Sequence, residues 1–186
     1  MAEIGNAPVI HAGTDLRLRP VSPAQVEIWF SVIARNKARL GRWLPWAALD
    51  FTLADIRRFL EDRERENASC ASLTTGIWRA EVLCGSIGLH KIDKWHRSSS
   101  IGYWLDGANE GKGVMTDACR AMVTEGFRSY GLYRIEIRCA TGNERSCAIP
   151  RRLGFVEEGI LRQAEYLGDR WVDLRVFSML EQDWRS

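Results

Sequence analysis

The sequence predicts an α+β fold in which about seven strands form a mixed, mostly antiparallel sheet flanked by helices. Three observations predict it. Apolar residues recur at strand or helical spacing in the order strand, two helices, three strands, helix, strand, helix and two strands. The single strand–helix–strand step predicts one right-handed crossover with a parallel pair, and the other strands pair antiparallel. The length of 186 residues favours one domain, and no linker divides it.

The elements of the N-terminal half have clear start and stop signals. Pro20 ends a first alternating strand, and Ser22 with Gln25 forms a capping box that opens a helix. Thr52 opens a second helix, whose run of charged residues we assign to the solvated face. The apolar, aromatic segment between the helices is interrupted by Pro45, which is typical of a loop with a functional role. The predicted elements are a strand at residues 16–19, a helix ending near 37, a loop at 40–49 and a helix from 52.

The C-terminal half contains the predicted strand–helix–strand step. Three strands precede a helix that Gly131 stops, and a cleanly alternating strand follows it. A short helix that contains Pro150 comes next, and a hairpin that turns at Gly168 and Asp169 ends the chain. The predicted strands are residues 70–78, 82–92, 98–106, 133–139, 155–167 and 171–180, and the predicted helices are 114–130 and 143–154.

The segment at residues 102–118 predicts a site for a negatively charged group. Here a strand ends in a turn that contains Gly111, Lys112 and Gly113, and the turn passes directly into a helix. The first backbone N–H groups of a helix have no partner within it and, with the helix dipole, attract a phosphate; glycines allow close approach. The spacing matches neither the P-loop nor the dinucleotide-binding fingerprint. An ordinary glycine turn remains the alternative at this point.

Composition narrows the class of protein. Hydrophobic residues make up 46% and charged residues 27%, as in ordinary globular proteins, and a net charge of +2 does not favour nucleic acid as a partner. No signal peptide and no apolar run of membrane-spanning length is found, so we expect a cytoplasmic protein, with residues 1–9 flexible. Five cysteines without paired spacing argue against disulfides and a metal site, and the eight tryptophans serve either the core or a substrate groove.

Several separated motifs together resemble the GCN5-related N-acetyltransferase (GNAT) superfamily, and within it the RimJ/RimL-like branch of ribosomal-protein N-terminal acetyltransferases. The resemblance covers residues 16–184. It implies a GNAT-like fold over a single domain, residues 1–186, in which the parallel pair splays apart beside a β-bulge at residues 103–105. The motifs are residues 41–46, 101–105, 110–115, 143–146, 152–155 and 163–167.

The resemblance implies acetyl-CoA as the cosubstrate, bound at the glycine turn. The family turn begins with Gln or Arg, whereas this chain has Glu110, which puts only a side-chain contact in doubt. The family's asparagine and serine fall on Asn143 and Ser146, beside the pantetheine arm and the thiol, and Arg152 is a weaker candidate for a contact with coenzyme A. The implied cofactor-binding residues are Tyr103, Trp104, Leu105, Lys112, Gly113, Val114, Met115, Thr116, Asn143, Ser146 and Arg152.

Acetyl transfer to an amine requires a base for the amine and an acid for the departing thiolate. In RimL-like enzymes a glutamate takes the proton of the amine through water, and a serine gives a proton to the thiolate. The resemblance implies that Glu165 and Ser146 have these roles here. Glu165 also lies in an otherwise uncharged stretch, where burial would raise its pKa. The alternatives are that Glu165 is an exposed strand residue and that Ser146 only opens a helix. Cys139 is expected to be structural, because direct transfer needs no covalent intermediate.

The predicted reaction is direct transfer of an acetyl group to a primary amine, namely the α-amine of a ribosomal or other protein N-terminus, or an aminoacyl conjugate. Deprotonation of an α-amine with a pKa of about 8 costs ~1.4 kcal/mol at pH 7, against ~4.6 kcal/mol for lysine. The expected acceptor-binding residues are Trp43, Trp46 and Tyr166. A small-molecule or antibiotic acetyltransferase and a non-catalytic module that binds coenzyme A remain alternatives, and a homodimer through the final hairpin stays open.

Overall fold

The structure, a computed structural model, describes residues 8–185. Its strands are β1 (Ile10–Ala12), β2 (Leu16–Pro20), β3 (Leu73–Arg79), β4 (Val82–Asp93), β5 (Ser98–Leu105), β6 (Arg134–Ala140), β7 (Val156–Tyr166) and β8 (Trp171–Leu180). Its helices are α1 (Val26–Leu40), α2 (Pro45–Ala48), α3 (Leu53–Ala68), α4 (Val114–Arg128) and α5 (Glu144–Arg152). Among the described helices, none is both long and apolar enough to cross a membrane. The prediction that residues 1–9 are flexible falls, for residues 1–7, outside the described residues.

The eight strands form one mixed sheet in the order β1-β2-β3-β4-β5-β6-β8-β7. β5 and β6 run parallel, and the other described pairs are antiparallel. The predicted α+β sheet with one parallel step is therefore confirmed. The predicted helices and strands lie close to their expected positions, and Ser22 and Thr52 both form the capping boxes expected of them.

The structure corrects the prediction in three places. The eighth strand, β1, is absent from the prediction because its three residues are too few to show alternation, and only pairing with β2 makes it a strand. Residues 40–49 contain the helix α2 rather than a loop throughout, because Pro45 stands in the first helical turn, where its missing N–H costs no hydrogen bond. The bulge implied at residues 103–105 is not found: β5 keeps an unbroken register with β4 there, and the register shift lies between His90 and Asp93.

The sheet carries a separate apolar core on each face. α4 and α5 cover one face, where Ile101 and Ile137 join their buried residues. α1 and α3 cover part of the other face, where Trp29 and Trp104 meet edge to face at 5.8 Å. Because successive strand residues point to opposite faces, Tyr103 lies on the first face and Trp104 on the second. We call these the α4 face and the α1 face.

The parallel pair separates at its carboxyl end. Backbone pairing between β5 and β6 begins at Ser98 and stops at the pair of Ile101 and Ile137. Beyond that pair, β5 stays bonded to β4 up to Leu105, and β6 stays bonded to β8 up to Ala140. A gap therefore opens between the ends of β5 and β6, directly before the turn that leads into α4. This is the splay that the resemblance implies.

Candidate active site

The glycine turn provides a set of free backbone donors at the start of α4. Gly111 and Gly113 have φ angles of 73° and 77°, a left-handed conformation that favours glycine. Gly113 is the N-cap of α4 and supplies no side-chain cap. Within the described part of the chain, the backbone N–H groups of residues 112–116 donate to no other residue. With the dipole of α4, these donors fit a phosphate group.

Side chains around the turn add positive charge. Arg152 Nη1 lies 3.5 Å from the hydroxyl oxygen of Thr116 in the first turn of α4, which places the arginine beside these donors. Lys112 Nζ donates at 2.8 Å to a backbone carbonyl of the preceding loop. Val114 and Met115 are buried in the core on the α4 face, so only their backbone groups can contact a ligand.

Glu110, which stands where the family has Gln or Arg, is bound by two arginines. Arg39 of α1 donates to one carboxylate oxygen, and Arg145 of α5 donates to the other at 2.5 Å. Arg39 also donates to the carbonyl of Leu105. The two arginines offset the negative charge of Glu110 beside a site suited to phosphate, and they join α1, the turn and α5. Neither arginine carries a signal in the sequence, because partners 71 and 35 residues apart leave no local pattern.

The gap between β5 and β6 exposes backbone groups of Tyr103. Asp106 donates its N–H to β4, and alternate residues of an antiparallel pair bond to the same neighbour. Trp104 therefore bonds to β4, whereas Tyr103 points its N–H and C=O toward β6, which has no paired residue at that position. These groups are available for an amide or a thioester carbonyl. Leu105 has the same orientation, but its carbonyl already accepts a hydrogen bond from Arg39.

Ser146, Tyr103 and Cys139 form a partly buried cluster on the α4 face of the gap. The Ser146 hydroxyl lies 3.2 Å from both the Tyr103 hydroxyl and the Cys139 sulfur, and Tyr103 donates to the Ser146 carbonyl at 3.1 Å. Asn143 is the N-cap of α5, and its Oδ1 accepts the Ser146 N–H at 3.2 Å. Asn143 thus has a structural function, and it positions Ser146 in the first turn of α5.

Burial determines the protonation of this cluster. It raises the pKa of the Cys139 thiol to about 12 and the pKa of the Tyr103 hydroxyl well above its usual value. Both groups therefore remain protonated at neutral pH. A neutral thiol is a poor nucleophile, which favours the structural role predicted for Cys139.

Glu165 lies on the opposite face of the sheet, the α1 face. Glu165 pairs with Val172 of β8. Val172 and Val176 are four residues apart on one strand, so their side chains point to the same face. Val176 pairs with Arg138, which lies on the α1 face. The carboxylate of Glu165 is partly buried, burial raises its pKa, and no side chain in the described part of the chain bonds to it. An unpaired carboxylate with a raised pKa is suited to accept a proton.

A bulge in β7 determines where Glu165 points. The register with β8 shifts between Leu161 and Glu165, where Gln163 has a φ angle of 46°. The Gln163 N–H donates to Asp173 Oδ1 at 2.8 Å, so Asp173 stabilises the bulge. Bulges next to active sites commonly redirect a side chain. Asp173 carries no signal in the sequence, because its contact with Gln163 forms only when the hairpin closes.

The three predicted acceptor-binding aromatics lie at the same end of the sheet. Trp43 packs beside Gly142, where an added Cβ would lie 3.5 Å from the ring, so the loop after α1 contacts the loop before α5. Trp46 packs on the aromatic core of the α1 face and remains 42% exposed. Tyr166 contacts Trp171 across the final hairpin at 5.3 Å, and both rings are exposed. Trp171 was not predicted, although an aromatic beside the hairpin turn was an available signal.

Comparison with known proteins decides the family. The model of the acetyltransferase (GNAT) domain matches residues 15–156. The chain belongs to the GNAT acetyltransferase family. YdaF of Bacillus subtilis (strain 168) is 36% identical over 172 residues, which are 92% of this chain and 94% of that protein. The ribosomal-protein-serine acetyltransferase of Escherichia coli (strain K12) is 28% identical over 171 residues, 92% of this chain and 96% of that protein.

Solved structures of GNAT enzymes share this fold. RimL, a ribosomal L7/L12 α-N-protein acetyltransferase in complex with coenzyme A, has a TM-score of 0.90 and 26% identity, over 93% of this chain and 98% of that chain. MccE, a microcin C7 self-immunity acetyltransferase in complex with acetyl-CoA and AMP, has a TM-score of 0.86 and 27% identity, over 90% and 93%. The chain is therefore a GNAT N-acetyltransferase that uses acetyl-CoA as its cosubstrate. The free amides of residues 112–116 fit the diphosphate of this cosubstrate.

Proposed function

We propose that this enzyme acetylates the N-terminal α-amine of a protein, and that a ribosomal protein is the acceptor to test first. The observation that supports the proposal most strongly is that an unpaired Glu165 and a partly buried Ser146 lie on opposite faces of the sheet, with Ser146 at the gap between β5 and β6. RimL and the Escherichia coli relative are both named for the acetylation of ribosomal proteins. Such an acceptor would place the enzyme in the cytoplasm.

Residues of the glycine turn and residues at the gap between β5 and β6 would each bind a different part of the cosubstrate. The N–H groups of residues 112–116, with Arg152, would hold the diphosphate beside the start of α4. The N–H of Tyr103, which β6 leaves unpaired, would donate to the thioester carbonyl, where negative charge develops during attack. Ser146 lies on the α4 face of the gap, where the departing sulfur would be.

Two side chains would transfer the protons. Glu165 would take a proton from the amine, directly or through one water, as the nitrogen lone pair attacks the carbonyl carbon. The Ser146 hydroxyl, which donates to Tyr103 in the structure, would turn to give its proton to the sulfur as the C–S bond breaks. Solvent would then return a proton to the serine oxygen and take the proton held by Glu165. An α-amine with a pKa of about 8 costs only ~1.4 kcal/mol to deprotonate at pH 7, so a glutamate is a sufficient base.

Peptides with a free N-terminus test this proposal. With acetyl-CoA and hexapeptides that begin with serine or alanine, the purified protein should release thiol and give N-terminally acetylated product in mass spectrometry. Glu165→Gln should lower turnover about 10²-fold or more. Glu64→Gln, at an exposed position of α3, is the matched control and should have no effect. Full turnover by Glu165→Gln would exclude this residue as the base, and acetylation of small amines alone would exclude the protein acceptor.

An aminoacyl nucleotide is the second candidate acceptor. MccE, which shares the fold, is in complex with AMP as well as acetyl-CoA. The exposed rings of Trp46, Tyr166 and Trp171 offer surfaces on which a nucleobase can stack. Turnover of an aminoacyl adenylate analogue, with no turnover of any peptide, would favour this candidate.

We further propose that two copies of the chain pair through β7. β7 is an edge strand whose residues are almost all exposed on both faces, and they include Val156, Ile160 and Leu161. A long edge strand with apolar side chains favours pairing with another strand. Sedimentation equilibrium should give a dimer for the wild type and a monomer for Ile160→Lys. A monomeric wild type would contradict this.

A further inference from the structure

A polar groove lies on the α1 face of the sheet, beside the core that α1 and α3 form. It has a volume of about 220 Å³ and lies over β4, β5 and β6. The strand residues between its lining residues, such as Ile101 and Ile137, belong to the core of the α4 face, so the groove opens on the α1 face. The groove is lined by His90, Ser98, Ser100, Arg134, Glu136 and Arg138, among others.

The groove meets the gap between β5 and β6 at Arg138. This arginine is the first residue of β6 after the last pair with β5, and it lines the groove. It also shares the α1 face with Glu165. An acceptor whose amine reaches the gap therefore has the groove next to it. The stretch of β6 from Arg134 to Arg138 is about 13 Å long, which matches about four residues of extended peptide.

The groove has an excess of positive charge. Arg138 Nε donates to Glu136 at 2.5 Å, and its two terminal nitrogens bond to nothing in the described part of the chain. Arg134 donates to Glu136 at 3.2 Å and to Glu158 at 2.6 Å, so both carboxylates are already bound. Lys91 adds a further cation to the lining. Arg138, whose side chain is 52% exposed, is thus the group that can bind an added carboxylate.

The remaining lining is neutral and can form hydrogen bonds. His90 packs over Gly102, where an added Cβ would lie 3.1 Å from the imidazole ring. Burial, with a contribution from Arg63, lowers the pKa of His90, so the imidazole is uncharged at pH 7. Ser98 and Ser100 of β5 add hydroxyl groups to the lining of the groove. Such a surface suits the backbone of an extended peptide.

We propose that this groove binds the acceptor chain that follows the reactive amine, in an extended conformation, and that Arg138 selects an acidic side chain within the first few residues. The inference rests on the proposed function and adds a substrate class to it: proteins with a polar, acidic N-terminal segment. The aromatic residues at the gap would then contact the first residue, and the groove would contact those that follow.

Kinetics with three matched peptides test this inference. They are a serine–alanine dipeptide amide and two hexapeptides beginning with serine, one with two glutamates and one with two lysines after the second residue. In the wild type, the acidic hexapeptide should have a KM about tenfold below that of the basic one. Arg138→Gln should raise the KM of the acidic hexapeptide about tenfold at unchanged kcat, and it should leave the dipeptide unaffected.

Further variants keep the test independent of one substitution. Ser100→Glu adds a negative charge to the other wall of the groove, so it should likewise raise the KM of the acidic hexapeptide. Arg57→Gln removes an exposed arginine of α3 that does not line the groove and should change nothing. Circular dichroism melting of each variant checks that it is folded.

Each outcome decides one claim. If no peptide is acetylated, the proposed function fails. If the dipeptide and both hexapeptides have equal KM values in the wild type, the groove is not the acceptor site, although the proposed function stands. A lower kcat of Arg138→Gln for the dipeptide would place Arg138 in the reaction gap. A changed sedimentation coefficient of that variant would make the groove an interface between copies; either result overturns the inference.

Discussion

Three glutamates near the site differ in their partners, and the partners decide what each carboxylate can do. Glu110 is bound by Arg39 and Arg145, so its charge is offset beside the diphosphate site. Glu158 is bound on both oxygens by Arg134. Glu165 has no partner in the described part of the chain, and burial raises its pKa. A proton acceptor needs a carboxylate oxygen that is not already bound, and a raised pKa makes the carboxylate a stronger base. Of these three carboxylates, Glu165 is the one without a bound partner in the described residues.

The first prediction concerns the pH dependence of Glu165. A base acts only when deprotonated, and burial raises the pKa of Glu165, so kcat/KM should fall on the acid side at a higher pH than for an exposed glutamate. Glu165→Gln should remove this titration and lower the plateau, so that the acceptor amine, with a pKa of about 8, alone limits kcat/KM on the acid side. Glu64→Gln should leave the whole profile unchanged. A pH–rate profile with a peptide acceptor measures it. If the acid side of the profile has the same shape in Glu165→Gln as in the wild type, another group of the enzyme titrates.

At the scale of elements, the turn before α4 depends on backbone conformation more than on side chains. Gly113 has a φ angle of 77°, and an added Cβ would meet only Asp117 Oδ2 at 3.9 Å. Glycine is therefore required at position 113 because the backbone is left-handed and because a ligand approaches closely, and not because neighbouring atoms would clash with a side chain. Gly131, after α4, has a φ angle of 60° and also has open space around it, but it lies far from the site.

Substitution of these two glycines should separate strain from binding. Gly113→Ala and Gly131→Ala should each lower the free energy of unfolding by about 1 kcal/mol, because alanine is strained at positive φ. Only Gly113→Ala should also weaken the binding of coenzyme A, by about tenfold, because its Cβ lies at the diphosphate site. Denaturant unfolding and isothermal titration calorimetry measure the two effects. Equal affinities in both variants would place the cosubstrate elsewhere.

The ion pair between Arg134 and Glu158 ties the edge strand β7 to β6 across β8. Hydrogen bonds from Arg134, and then from Ser178, lower the pKa of Glu158 from 4.5 to about 2. A lowered pKa in the folded state stabilises the protein fully above the unfolded-state pKa, and this stabilisation is lost as the pH falls through the folded-state pKa. The loss therefore falls between pH 4.5 and about 2.

Glu158→Gln should show this pH dependence directly. Because the carboxylate is 40% exposed, solvent screening limits the stabilisation to about 1 kcal/mol at pH 6. The difference in free energy of unfolding between the wild type and the variant should shrink toward zero as the pH falls from 4.5 to about 2. Urea unfolding at several pH values measures it. A difference that stays constant with pH would mean that the pair contributes through packing alone.

At the scale of the whole molecule, the sheet separates the two halves of the reaction. The cosubstrate groups, Ser146 and the glycine turn, lie on the α4 side, whereas Glu165 and the polar groove lie on the α1 face. The gap at the ends of β5 and β6 connects the two sides. A ligand in the gap would contact α4, α5 and two strands at once, so it should stabilise the whole domain.

Coenzyme A should therefore raise the melting temperature of the full chain. At a free concentration 100 times its Kd, it should add about 2.7 kcal/mol to the free energy of unfolding. For a domain of this size this corresponds to a rise of about 5 to 10 °C. Differential scanning calorimetry with and without coenzyme A measures it, and Gly113→Ala should show a smaller rise at the same concentration. No rise at saturation would contradict the assignment of the site.

Elements with local signals can be predicted from the amino-acid sequence. The capping boxes at Ser22 and Thr52, the glycines around Lys112 and the isolated Glu165 are all visible within a few neighbouring residues. Such patterns act through short-range hydrogen bonds, backbone conformation and alternation, so one segment of sequence is enough to predict them. The family motifs, which occur in a fixed order along the chain, indicate that these segments form one site.

Features that depend on distant partners become visible only in the folded chain. The three residues of β1 form a strand only because they pair with β2. Pro45 begins a helix rather than a loop, and Arg39, 71 residues from Glu110, offsets the charge of that carboxylate. The tertiary structure likewise set the proposed base and acid on opposite faces and joined the groove to the gap through Arg138. The physical reason is that charge compensation and strand pairing act through space, and folding alone brings those groups together.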